Sequence, residues 1–67
     1  MKLRNKLKHW RHRKEMEQKE FAAFLGYDLS TYNRWERQAV QPNLITTWVI
    51  SKKLGIHMDE LFEEVEE

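Results

Sequence analysis

Three interruptions are all that break this chain: Gly26, the stretch Gln41-Pro42-Asn43, and Gly55. Glycine and proline are the residues that end helices, and these cut the 67 residues into segments of helical length. Leu3, Leu7 and Trp10 lie at i, i+4 and i+7, an apolar stripe on an otherwise basic first helix. A second helix is predicted from about Gln18 to Leu25, with Phe21, Ala22 and Leu25 on one face and Gly26 as its stop. Asp28 caps a third, which carries Leu29, Tyr32 and Trp35 or Glu36. Asn43 caps a fourth through Leu54, with Leu44, Thr47, Ser51 and Leu54 predicted to point inward. A short fifth, about Met58 to Glu64, presents Leu61, Phe62 and Val65. No stretch alternates convincingly at period two, so the expectation is an all-α chain of five helices. Without repeats, low-complexity segments or a Pro/Gly-rich linker, residues 1–67 read as a single domain.

Such a domain buries only about 60% of the surface its unfolded chain exposes, so its core is thin. The absence of cysteine removes disulfides and thiolate metal sites and fits a reducing compartment. The longest apolar run, Trp48-Val49-Ile50, is too short to span a membrane, and no uninterrupted apolar segment follows the basic start. A soluble, intracellular protein is expected. The net charge of +1 conceals an asymmetry: residues 1–37 carry +5 and residues 38–67 carry −4. Either one face meets a polyanion, or both runs are solvated helix faces.

Two short helices joined by Gly26-Tyr27-Asp28 are the physical signature of a helix-turn-helix, here about residues 18–37. Ala22 leaves room for the next helix to cross, and Gly26 allows a left-handed turn. Helix–Gly–helix alone is a weak signal. More positions agree, however. Leu7, Trp10 and Arg11 in the first helix, Gln18 opening the second, and Phe21-Ala22, Leu25 and Gly26 are followed by Arg34-Trp35-Glu36-Arg37. Pro42, Leu44, Ile50, Leu54-Gly55-Ile56 and Asp59-Glu60-Leu61-Phe62 continue in register. In these residues and spacings, over about residues 3 to 62, the chain resembles the phage repressor-like (Cro/CI, Xre) helix-turn-helix family. It departs at Glu15 and Gln38, where glycine is usual. It departs also at Thr47 and Ser51, usually leucine and alanine, and at His57, where Ser or Thr usually caps the last helix.

The resemblance implies a compact five-helix lambda-repressor-like fold. It also implies sequence-specific binding of double-stranded DNA by a transcriptional regulator, a repressor, with the recognition helix 29–37 in the major groove. Leu29, Ser30 and Arg34 fall at base-reading positions, with Asn33 a further candidate. Arg34 suits the O6 and N7 of guanine; the alternatives are a phosphate or solvent. Gln18, Lys19, Thr31 and Arg37 are expected on phosphates. Lys2, Arg4, Lys6, Lys8, Arg13 and Lys14 are mostly solvated, with a few supplementing those contacts. Arg11 and Glu36 are expected to form a partly buried structural salt bridge that sets the angle of the third helix. A cytoplasmic, bacterial or phage-encoded and nucleoid-associated protein without a cofactor is implied.

Too few base contacts come from one module to be specific in a genome, so a homodimer on a palindromic operator is expected. Ile45 and Val49 fall together on the flank of the fourth helix with Trp48 beside them, which suggests the dimer interface. The alternative is that the C-terminal segment through Val65 covers them. Trp10, Phe21, Tyr32, Trp35 and Phe62 read as core, with Phe24 and Tyr27 unsettled. His9 and His12 lack a third metal ligand, and Asp59, Glu60, Glu63, Glu64, Glu66 and Glu67 read as a solvated acidic tail rather than a catalytic site. No enzymatic constellation is present. The rival function is the same fold as a protein-binding module, an antitoxin or regulatory subunit gripping a partner protein.

Overall fold

Four α-helices and a two-stranded ribbon, not five helices, are formed by residues 2–66, the part of the chain that the computed structural model describes. Strand β1 (Lys2–Asn5) is followed by α1 (Leu7–Arg13), α2 (Gln18–Leu25), α3 (Leu29–Glu36) and α4 (Leu44–Leu54), a 3-10 turn (Met58–Leu61) and strand β2 (Phe62–Val65). Glu67 of the acidic tail lies outside the described residues.

The ribbon corrects the sequence reading at both ends. β1 and β2 are antiparallel, with Lys2 opposite Val65, Leu3 opposite Glu64, Arg4 opposite Glu63 and Asn5 opposite Phe62. Leu3 therefore belongs to a strand and not to the stripe of the first helix, and it is exposed. The fifth helix is reduced to the 3-10 turn because the backbone leaves the helical path there: Lys6 N–H donates to the Leu61 carbonyl at 2.7 Å. Neither strand carries an apolar–polar alternation, because a two-stranded ribbon with both faces largely in water has nothing to sort.

The core is made by Leu7, Phe21, Ala22, Leu25, Tyr32, Trp35, Ile50 and Leu61, with Trp10, Met16, Tyr27, Leu54, Ile56 and Phe62 packed half-buried around it. Phe21 meets Tyr32 edge to face with centroids 5.6 Å apart, and Tyr27 meets Trp35 at 5.0 Å. These are favoured aromatic arrangements, and they weld α2 and the turn after it to α3. On α4 the inward residues are Thr47, Ile50 and Ser51 with Leu54 behind them, whereas Leu44 is 75% exposed. The expected stripe thus holds at Thr47, Ser51 and Leu54 but not at Leu44, and Ile50 joins it. The two buried hydroxyls are satisfied locally, Thr47 donating to the Pro42 carbonyl just before α4 and Ser51 to that of Trp48 within it.

All four helices end in the same pair of backbone bonds. In α1, Glu15 N–H donates to His12 and Met16 N–H to Arg11; in α2, Gly26 donates to Ala23 and Tyr27 to Ala22. In α3, Gln38 donates to Trp35 and Ala39 to Arg34; in α4, Gly55 donates to Lys52 and Ile56 to Ser51. This closure needs one left-handed residue. Gly26 and Gly55 supply it with φ of 92° and 70°, but Glu15 and Gln38 adopt it with side chains, at 55° and 64°. The two departures from glycine thus keep the turn geometry at the expense of strain. At Gly26 space is also tight: a Cβ would sit 3.0 Å from Lys53 Nζ, which donates to the Leu25 carbonyl at 2.6 Å and would have to give way by a few tenths of an ångström.

Relief of that strain separates the two positions. Glu15→Gly should raise unfolding free energy by about 0.5–1 kcal/mol, since nothing else is lost. Gln38→Gly should lower it instead, because the Gln38 side chain binds β1 on both of its amide atoms. Urea denaturation of both variants decides it; equal gains would show that the Gln38 bonds contribute nothing.

Candidate nucleic-acid interface

Two sides of α3 differ sharply. Tyr32 and Trp35 are buried, while Leu29, Ser30, Arg34 and the following Arg37 are exposed and Asn33 is half-exposed. At 100° per residue these polar and apolar groups gather on one outward face. Asp28 opens the helix, accepting from the Thr31 N–H at 3.0 Å and from its hydroxyl at 2.8 Å. Those donors hold the Asp28 carboxyl below its ordinary range. Thr31, expected on a phosphate, already spends its hydroxyl proton on this cap.

The angle of α3 is held by a cluster around Glu36. Arg11 Nε and Nη2 donate to the two Glu36 oxygens at 3.0 and 2.9 Å, a bidentate pair whose side chains are 12% and 6% exposed. Arg11 Nη1 also donates to the Met16 carbonyl at 3.1 Å. The Tyr32 hydroxyl donates to Glu36 as well, as does Gln18 Nε2 at 3.0 Å. Burial pushes the Glu36 carboxyl up, but the donors from Arg11, Tyr32 and Gln18 outweigh it and leave the carboxyl below its usual value. Burial, then the Glu36 carboxylate, pushes the Tyr32 phenol well up, so it stays a neutral donor. The bond to Glu36 raises the Arg11 guanidinium despite its own burial.

A second clamp was not anticipated from the sequence. Asn5, 4% exposed, donates from Nδ2 to the Trp35 carbonyl at 2.6 Å and to Gln41 Oε1 at 2.8 Å. Its Oδ1 accepts from Leu7 N–H at 3.2 Å. Its backbone N–H and carbonyl pair with the Gln38 amide as with a neighbouring strand, at 3.0 and 3.1 Å. Asn5 thereby ties β1, the start of α1 and the last turn of α3 together. The only signal in the sequence was a cap-type residue two places before Leu7.

On the outward surface Gln18, expected on a phosphate, is tied to Glu36 and also accepts from Asn33 Nδ2 at 3.2 Å. Asn33 Oδ1 in turn accepts from Arg37 Nε at 2.9 Å. Lys19 and Arg34 are exposed. The basic residues before α2 are less free than their charge suggests. Arg4 pairs with Glu63 at 3.5 Å across the ribbon, Arg13 lies over the Trp10 ring and Lys14 over Phe24. Residues 2–5 of the basic half thus lie directly against the acidic strand 62–65, and the two charged halves do not form separate faces there. His9 and His12 remain exposed on α1, and among the described residues no group of three or more potential ligands is placed to hold a metal ion. No helix among the described residues is long and apolar enough to cross a membrane.

A family model described as Helix-turn-helix matches residues 7–61, from the start of α1 through the 3-10 turn. The chain belongs to the phage repressor-like helix-turn-helix family. This is a family of DNA-binding regulators rather than of enzymes. Comparison with curated proteins finds no match. α2 and α3, joined by Gly26-Tyr27-Asp28, lie within the matched residues, and Arg11, Gln18 and Glu36 link them to α1.

Because the Glu36 pKa is depressed on folding, the folded state binds fewer protons than the unfolded one in acid. The carboxylate's contribution is complete above the ordinary glutamate value and is lost as pH falls through the lower folded value. Glu36→Gln should be less stable than wild type at pH 7 by about 3–5 kcal/mol, the cost of leaving a buried partner charge alone. Urea titrations at pH 7 and pH 3 should show that gap narrowing in acid. A gap that is small and independent of pH would mean that the pair contributes little.

Proposed function

We propose that this chain is a sequence-specific transcriptional regulator, a repressor acting by occupancy, which lays α3 and Arg37 in the major groove of a palindromic operator as a homodimer. The observation that carries this reading is the outward face of α3, free of packing duties on a helix whose opposite side is locked by Arg11–Glu36 and Asn5. A rigid helix with short, exposed side chains at its start and an arginine further along is suited to base edges. Arg34 supplies a bidentate donor for guanine, Ser30 a versatile hydroxyl and Leu29 an apolar contact for a thymine methyl. Lys19 and Arg37 supply phosphate contacts that dock the helix.

The homodimer reading is supported by the exposed end of α4. Ile45 is 76% exposed and Trp48 52%, and the neighbouring Leu44 is as open as Ile45. The C-terminal segment does not cover them, since β2 is engaged with β1. Val49 is half-buried, so Leu44 is the better partner for Ile45 and Trp48 in a two-fold contact. An apolar patch of this kind is uncommon on so small a monomer.

Two measurements test the reading. With an operator selected from random duplexes, Arg34→Ala should cost about 1–3 kcal/mol and relax the preference at one base pair, whereas Lys19→Ala should weaken all sequences alike. Equal losses on operator and random DNA for Arg34→Ala would remove it from base reading. In sedimentation, wild type should self-associate with rising concentration, and Leu44→Glu/Ile45→Glu should stay monomeric and folded. A double variant that still dimerises would move the interface off α4.

A further inference from the structure

The side chains of Glu36, Gln18, Asn33 and Arg37 form a single hydrogen-bonded chain across the two helices of the motif. Its two ends dictate its direction. A carboxylate only accepts and a guanidinium only donates. Glu36 therefore requires the NH₂ end of Gln18, at 3.0 Å, which turns Gln18 Oε1 toward Asn33. That oxygen requires the NH₂ end of Asn33, at 3.2 Å, which turns Asn33 Oδ1 toward Arg37 Nε at 2.9 Å. Neither amide is free to flip without placing two acceptors or two donors face to face.

The consequence concerns what remains for a ligand. Each amide nitrogen has a second N–H left over, and Arg37 has its Nη groups. The one oxygen of Asn33 is already engaged. Reading adenine through both N6 and N7 takes one amide acceptor and one amide donor, as asparagine does in its bidentate pairing. Asn33 already holds Arg37 with its oxygen and Gln18 with its amide nitrogen, so pairing with adenine would have to use the remaining lone pair and N–H of an amide whose plane those two bonds fix. The N–H groups left over on Gln18, Asn33 and Arg37 form a row of donors, and such a row matches phosphate oxygens.

We propose that Asn33 is a positioning residue for phosphate contact: it orients Gln18 on one side and Arg37 on the other, and it does not read a base. This rests on the DNA-binding reading above. With Nε held by Asn33, fewer side-chain conformations are open to Arg37, which lowers the entropy lost when its guanidinium meets a phosphate.

The test joins duplex binding to a measurement on the free protein. Asn33→Ala should weaken the selected operator and a random duplex by the same factor, roughly tenfold, as for loss of a hydrogen bond to a charged group. The slope of log affinity against log salt should shrink in magnitude by about 0.9, the value of one phosphate contact. Asn33→Ala should weaken binding by a smaller factor when Arg37 is already alanine, because only the share carried through Gln18 then remains to be lost. In the free protein, ¹⁵N relaxation of Arg37 Nε should report an ordered side chain in wild type that becomes mobile in Asn33→Ala, with circular dichroism unchanged. Asn33→Asp keeps the acceptor for Arg37 but faces Gln18 Oε1 with another acceptor, so it should leave Arg37 Nε ordered while weakening both duplexes. Loss of preference at a single A·T pair with an unchanged salt slope would overturn the proposal in favour of base reading. A mobile Arg37 Nε in wild type would overturn it independently of DNA. Failure of wild type to bind any duplex, with Arg37 Nε ordered, would instead fault the DNA-binding reading.

Discussion

A carboxylate at the end of α3, almost wholly removed from water, sets the terms for the rest of the molecule. Glu36 is ringed by Arg11, Tyr32 and Gln18, one donor group from each of the three helices that meet there. Desolvating a lone carboxylate is prohibitively costly, so α1, α2 and α3 have to assemble in the one arrangement that brings all three donors to it. That requirement is geometric as well as energetic. The bidentate Arg11 pair is planar and tolerates little rotation, and it is this that holds α3 at a constant angle to the other two helices.

The same end of α3 is secured a second time by different means. Asn5 reaches its last turn from the N-terminal strand, and Gln38 returns the contact by pairing its amide with the strand's backbone. Gln38 does this from a left-handed backbone that glycine would occupy with less strain. The strained position is offset by bonds that glycine could not make. Glu15, equally left-handed, has no such recompense, and the difference between the two is a difference in what their side chains reach.

The distribution of charge also looks different once the chain is folded. The basic beginning and the acidic end meet as the two strands of one ribbon, with Arg4 on Glu63. Part of the positive charge of the first half is neutralised by its neighbour. Among the cations that stay exposed are Lys19 on α2, Arg34 on the outward face of α3, and Arg37 just after that helix.

Local patterns were enough to establish the helices. Asp28 and Asn43 cap α3 and α4, Gly26 and Gly55 end α2 and α4, and the apolar spacing of Phe21, Ala22 and Leu25 turns α2 inward. These features act within a few residues of one another, so the sequence by itself determined them, and with them the helix-turn-helix. The tertiary structure decided everything that depends on a distant partner. Strand β1 exists because β2 lies beside it nearly sixty positions along the chain, and no periodicity marks either strand when both faces meet water. The outward position of Leu44 follows from how α4 rests on Ile50, not from the helical wheel, which does not say how far along a helix the contact with the core extends. The direction of the amides of Gln18 and Asn33 was equally beyond reach, because an amide has no orientation of its own. It acquires one only when folding sets an obligate acceptor at one end of the chain and an obligate donor at the other.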